Sequence, residues 1–190
     1  MASLVLVVAS PVMAVLAIAV RLDSAGPVIY RARRIARGGD TFTLFKFRSM
    51  RVDQAGPGIT VRGDDRVTRI GAFMRRTKLD ELPQMWNVLK GEMSIVGPRP
   101  EDPAYAEWYP DDLRAIFRFR PGITSPASVT FRNEEERLAE LAAGGASLEE
   151  AYKVVLAEKI PIDLAYFPTR SNMSDLRWIG RTAVAMVQSR

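Results

Sequence analysis

Asp80 and Glu81 are adjacent carboxylates in a stretch crowded with cations, Arg75, Arg76 and Lys78. A carboxylate can attack phosphorus once cations or a hard metal have neutralised the phosphate oxygens. The same residues also have a plainer reading. Asp80 has the chemistry of an N-cap and Glu81 favours the helix dipole, with Pro83 in the first turn and Gly91 as the stop. Leu82, Met85, Trp86 and Leu89 would be the apolar stripe of that helix. A helix start also offers free N–H groups to a phosphate, so capping and chemistry would use the same geometry. Further on, Pro98 and Pro100 fix the backbone on both sides of Arg99 and aim its guanidinium, although an exposed turn would explain them equally.

The composition removes most other chemistries. The chain has no Cys and no His, which excludes thiolate nucleophiles, disulfides, imidazole bases and Cys- or His-ligated metal. Carboxylates, with Ser, Thr, Tyr, Lys or Arg in support, and oxygen-ligated metals such as Mg²⁺ remain. The formal charge is +5, and only Lys46, Lys78, Lys90, Lys153 and Lys159 are lysines, so the excess is arginine. Arginine reads phosphate and carboxylate bidentately, so an anionic partner is expected; codon bias toward Arg accounts for part of the excess. No module with aromatics interleaved in a basic patch is present, so nucleic acid is not expected as a partner.

These groups need elements to position them. With 190 residues, the chain is one domain or a domain plus an attached segment. Residues 2–20 carry no charge and are long enough to span a bilayer core. Pro11 removes one backbone donor there and presses on the carbonyl of Val7, which Ser10 can help satisfy. Spacing alone leaves a re-entrant helix broken at Ser10–Pro11, a spanning helix and a buried soluble helix all open. Residues 27–30 and 41–48 read as short strands around a basic loop at 31–40, and 53–65 as a Gly/Pro-rich connector. Residues 68–77 read as an amphipathic helix, with Ile70, Phe73 and Met74 on one face. Residues 93–100 read as a strand ending in a stiff turn, and 111–119, 134–143, 148–159 and 173–186 as amphipathic helices. The 111–119 segment could lie on a membrane surface or pack on the core, and core packing is favoured for 148–159.

Lys46-Phe47-Arg48-Ser49-Met50, the Asp80-Glu81-Leu82-Pro83-Gln84 run with its flanks over 77–91, and Gly97-Pro98-Arg99-Pro100 together resemble the bacterial sugar transferase family. These are the monotopic phosphoglycosyl transferases acting on polyprenyl phosphate. The resemblance is ordered over 30–100 and resumes at Phe119-Arg120-Pro121-Gly122-Ile123-Thr124. It fades in 159–179, where Asp163-Leu164-Ala165-Tyr166-Phe167 and Asp175-Leu176 echo the family's tail.

The resemblance implies an α+β fold. Residues 1–21 would form a re-entrant membrane helix broken at Ser10–Pro11. Residues 22–190 would form a mainly helical catalytic domain with a short β-hairpin and surface amphipathic helices, on the cytoplasmic face of the bacterial inner membrane. It implies transfer of a sugar 1-phosphate from a UDP-sugar to polyprenyl phosphate, with release of uridine monophosphate (UMP). Asp80 would be the covalent nucleophile and a ligand of Mg²⁺, and Glu81 its partner. Lys46 and Arg75 match cationic positions near the site, Pro98-Arg99-Pro100 the nucleotide-side motif, and Arg132 a phosphate-binding position. Membrane lipids are implied partners, and a homo-oligomer is left open. Two departures stand out. Ser125-Pro126-Ala127-Ser128 replaces the usual Gly and Gln-Val after Thr124, in a region expected to line the sugar or acceptor pocket. The apolar segment also begins without the basic residues that usually precede it. The alternative of a different class is a non-catalytic membrane-surface protein binding anionic lipid or nucleotide.

Overall fold

The computed structural model describes residues 2–52 and 63–188. The expected connector at 53–65 therefore lies, for 53–62, outside the described residues. The architecture is α+β and mostly helical, with a short antiparallel hairpin and an N-terminal apolar helix.

Helix α1 (Ala2–Asp23) runs through Pro11 without interruption, and the Ser10 hydroxyl donates to the Val7 carbonyl at 2.8 Å, the acceptor that Pro11 leaves without its amide. Leu4, Val7, Val8, Val12, Val15 and Ile18 are exposed, whereas Leu16 and Val20 are buried against Phe47 and Met74. The C-terminal half thus docks on the domain and the outer face presents apolar side chains. Arg48 seals that end, donating to the carbonyls of Val20 at 3.3 Å and Ser24 at 2.8 Å and to that of Ala25. The guanidinium thereby supplies donors at and just beyond the helix end, where backbone N–H partners run out.

Strands β1 (Ile29–Ile35) and β2 (Thr41–Phe47) pair antiparallel with Tyr30 opposite Lys46. The expected basic loop at 31–40 is corrected: Arg31, Arg33 and Arg34 lie in β1, and only the turn around Gly38 and Gly39 is irregular. Ala32 and Ile35 are buried there, and Arg34 ion-pairs with Asp102, so the arginine stems can lie along a strand without unpaired charge.

Helix α2 (Arg69–Thr77) begins where Thr68 accepts from Gly71 N at 3.0 Å, and Asp23, the last residue of α1, accepts from Ile70 N at 3.0 Å. Met74 is buried, Ile70 half-buried and Phe73 exposed. Gly71 packs on the Ser49 carbonyl, which a Cβ would meet at 2.0 Å. A 3₁₀ turn, Leu79–Glu81, leads to α3 (Gln84–Leu89), whose stop at positive-φ Gly91 is as expected. Asn87 ties α3 to the hairpin, donating to the Thr43 carbonyl at 2.7 Å and accepting from Phe45 N at 3.1 Å.

Strand β3 (Ser94–Val96) pairs in parallel with β4 (Gly122–Thr124). The approach is close: a Cβ on Gly122 would lie 2.1 Å from Gly97 N, and one on Gly97 2.4 Å from the Arg120 carbonyl. Short α4 (Pro126–Thr130) follows, capped by Ser125, then α5 (Glu134–Ala143), α6 (Leu148–Tyr166, opened by a Ser147–Glu150 capping box) and α7 (Asn172–Gln188). Two expectations shift. The 111–119 segment is a 3₁₀ helix over Leu113–Arg118, with Leu113 and Ile116 in the core, so it packs inward. Helix α6 extends beyond 159 through Pro161, which is exposed, so the carbonyl it frees can face water. The largest core joins Val96, Tyr109, Leu138, Val155, Leu156 and Phe167 around α6.

Candidate active site

Asp80 is not a helix N-cap. Helix α2 ends on Lys78, the single described non-glycine residue with positive φ, at 56°, and Asp80 sits inside the following 3₁₀ turn. The sharp reversal lets Leu79 and Leu82, on either side of the carboxylates, pack into the cluster formed with α1. That packing drives Asp80 inward, where it is only 5% exposed. Its Oδ1 is buried with no hydrogen-bond partner. A left-handed residue costs about 1 kcal/mol or more, so the strain sits directly beside the most buried carboxylate of the turn.

The electrostatics follow from that burial. Desolvation, then the neighbouring Glu81 charge, push the Asp80 pKa up, while Lys46, Lys78 and Arg75 pull it back. Glu81 lies 3.8 Å from Lys78 Nζ. Lys46 arrives from β2, half-buried over the Tyr30 ring at 5.5 Å. Its burial lowers its pKa to about 8, helped by the positive charges of Arg99 and Arg75 and opposed by Asp80 and Glu81. Arg75 comes from α2 and pairs with Glu135 Oε1 at 2.8 Å. Arg99 follows β3, surrounded by protein yet accessible, as a side chain inside an open cavity is. Its surroundings work against its charge, but Glu81 and Glu134 more than offset them and hold its pKa above the ordinary value.

Of the residues singled out in sequence, then, the fold brings Lys46, Arg75, Asp80, Glu81 and Arg99 into one another's fields. Pro98, Arg99 and Pro100 line a cavity with Ser128, Glu134 and Lys159. Arg132 is exposed between α4 and α5 and makes no hydrogen bond or ion pair to Asp80 or Glu81 among the described residues. Ser10 and Pro11 lie within α1, which stays helical through both.

Sequence reading missed a cluster of three charges, Lys159 and Asp163 buried and Glu134 half-buried. Glu134 opens α5 and both its oxygens accept from Lys159 Nζ at 2.9 Å. One turn on, Asp163 accepts from Ala127 N at 2.9 Å, and its burial raises its pKa to about 6. The four-residue spacing of Lys159 and Asp163 on one helical face was a usable signal. Among the described residues no three carboxylates converge as a metal cage. The unpartnered Asp80 oxygen beside Glu81 fits a hard cation that takes its remaining ligands from phosphate and water.

Residues 1–189 match the family described as bacterial sugar transferase. A UDP-glucose:undecaprenyl-phosphate glucose-1-phosphate transferase of Caulobacter vibrioides is 35% identical over 191 residues, covering 98% of this chain and 66% of the relative. A putative undecaprenyl-phosphate N-acetylgalactosaminyl 1-phosphate transferase of Bacillus subtilis is 48% identical over 110 residues, covering 57% and 62%. An Escherichia coli UDP-glucose:undecaprenyl-phosphate glucose-1-phosphate transferase is 43% identical over 147 residues, covering 74% and 32%. The chain therefore spans roughly a third to two thirds of the length of these curated relatives. By the extent of that match, the chain belongs to the bacterial sugar transferase family.

Proposed function

We propose that this chain transfers a sugar 1-phosphate from a UDP-sugar to undecaprenyl or a similar polyprenyl phosphate, with Asp80 as covalent nucleophile. The observation that carries the reading is a buried carboxylate with an unpartnered oxygen, set among Lys46, Arg75 and Lys78. An Asp80 oxygen attacks the phosphorus that bears the sugar. The bond to the bridging oxygen between the two phosphates breaks, and UMP leaves with that electron pair. An oxygen of polyprenyl phosphate then attacks the same phosphorus, and the Asp80 carboxylate is released. Lys46, Arg75 and Arg99 bind the phosphate oxygens, and Arg132 is a further candidate. Glu81 orders the site or takes the acceptor's proton. Bound Mg²⁺, held through Asp80, would supply charge neutralisation of the diphosphate.

The test is UMP release from UDP-glucose and UDP-N-acetylgalactosamine, within a wider panel of UDP-sugars, with undecaprenyl phosphate and Mg²⁺. Absence of release from every donor would sink the reading.

Lys46 gives the site a pH signature. Below its pKa of about 8 it is charged and attracts the donor; above it the charge is lost. Donor kcat/KM should therefore fall as pH rises through about 8, and Lys46→Arg, charged throughout, should flatten that limb. The linkage sign runs the other way for stability. Between about 8 and 10.5 the folded chain binds fewer protons at Lys46 than the unfolded chain, so this group adds stability as pH rises.

Membrane association is part of the same reading. Helix α1 is the one helix among the described residues long and apolar enough to cross a membrane, and its outer face is exposed and apolar. We place it as re-entrant at Ser10–Pro11, with the domain on the cytoplasmic face of the bacterial inner membrane. In this cysteine-free chain, Ser3→Cys should then react with impermeant maleimide only from the cytoplasmic side of inverted and right-side-out vesicles. Labelling from the opposite side would mean a spanning helix.

A further inference from the structure

The first turn of α5 carries Glu134, Glu135 and Glu136, and two of these engage cations around the site. Glu135 pairs with Arg75 at 2.8 Å. Glu134 is held by both oxygens on Lys159, itself only 4% exposed and seated 5.4 Å from the Tyr152 ring centroid. Glu134, Lys159 and Arg99 line the same cavity. Arg99 thus shares its cavity with the Glu134–Lys159 pair, and the charges of Glu134 and of Glu81, after α2, both act on its guanidinium.

We propose that Glu134, fixed by Lys159, is a positioning residue that orients Arg99 toward the donor. The inference rests on the phosphosugar-transfer reading above. A free arginine side chain loses about 2 kcal/mol of rotamer entropy when it is fixed. A carboxylate wall that fixes it beforehand moves that cost from binding to folding. An uncompensated carboxylate beside an anionic donor would repel it, and Lys159 cancels that charge while leaving the local orienting field. A role in stability alone is the competing account, because buried ion pairs are often replaceable by apolar groups of similar volume.

The experiment measures donor and acceptor KM by UMP release, with UDP-glucose and UDP-N-acetylgalactosamine as donors. The neutral double variant Glu134→Gln/Lys159→Met removes both charges of the pair, and Asp163 keeps its hydrogen bond from Ala127 N. It should keep its Tm within ~4 °C of wild type while donor KM rises roughly tenfold and acceptor KM stays unchanged. The exchanged pair, Glu134→Lys/Lys159→Glu, restores an ion pair but turns a cation toward Arg99, so it should not recover donor KM. Glu134→Gln alone gives a discriminating sign. It removes the carboxylate that pairs with Lys159 and so makes the cavity more positive; simple attraction of the anionic donor would lower KM, whereas loss of positioning raises it. An unchanged donor KM in the double variant, recovery by the exchanged pair, or a lowered KM in Glu134→Gln each overturns the inference. Should the double variant not fold, Glu134→Gln decides. A wild-type chain that transfers from no donor would instead remove the reading of the site, and this inference with it.

Discussion

Asp80→Asn is expected to reduce transfer by on the order of 10⁴-fold or more while raising thermal stability. The loss follows from removing the attacking oxygen: an amide of the same shape cannot form the acyl phosphate. The gain follows from burial. In the folded chain Asp80 is desolvated and faces Glu81, so its pKa is raised. A folded state that binds more protons at this group than the unfolded state loses stability as pH rises through that window. At neutral pH the folded chain therefore holds this carboxyl group at a cost that Asn does not have. For a chain of this length each kcal/mol relieved raises Tm by about 2–4 °C. Incubation of wild type with a UDP-sugar and no acceptor should add one phosphosugar mass to the peptide bearing Asp80, absent in Asp80→Asn. Near-normal transfer by the Asn variant would reassign the nucleophile. A lowered Tm in that variant would contradict the electrostatic account alone.

The second large effect lies outside the carboxylates, at the two glycines where β3 and β4 touch. Gly122→Ala places a methyl group 2.1 Å from Gly97 N, and the contact is backbone on both sides, so no side chain can move aside. Overpacking of this kind costs about 3 kcal/mol or more, a Tm drop of roughly 6–12 °C. Activity should fall further than stability. Gly97 opens the Gly-Pro-Arg-Pro turn and is bonded to the Thr124 carbonyl at 2.9 Å, so separating the strands displaces Arg99 from the cavity. Thermal melts with UMP-release assays on the surviving folded fraction check both parts. A Gly122→Ala chain with wild-type Tm would show that the close approach is not needed.

Much of the local structure was legible because it depends on neighbours in sequence. The apolar run gave α1, alternation gave β2 and the first two residues of β1, and the Gly91 stop fell where expected. The errors came where distant contacts overrode local preference. Asp80 looked like a cap because Asp-Glu-Leu-Pro fits a helix start, but Leu79 and Leu82 both have apolar partners beside α1, and satisfying them requires a 3₁₀ turn after left-handed Lys78. The basic loop at 31–40 looked irregular because arginines are poor strand signals, yet pairing with β2 and the Arg34–Asp102 contact favour a strand.

The sequence by itself determined the chemical repertoire of this protein: no imidazole, no thiol, an adjacent carboxylate pair at Asp80-Glu81 flanked by cations, and an excess of guanidinium groups. Only the tertiary structure decided which of these groups act on one another. Lys46 and Asp80 meet because the hairpin is tied to α3 through Asn87. Arg99 shares a cavity with Glu134 and Lys159 because α5 and α6 bring those two side chains to the turn that follows β3. Desolvation and Coulomb interaction depend on burial and on distances across the fold, and neither is a property of spacing along the chain. Asp80–Glu81 was visible from the start. Its unpartnered oxygen, its raised pKa and its surrounding cations exist only once the chain has folded around it.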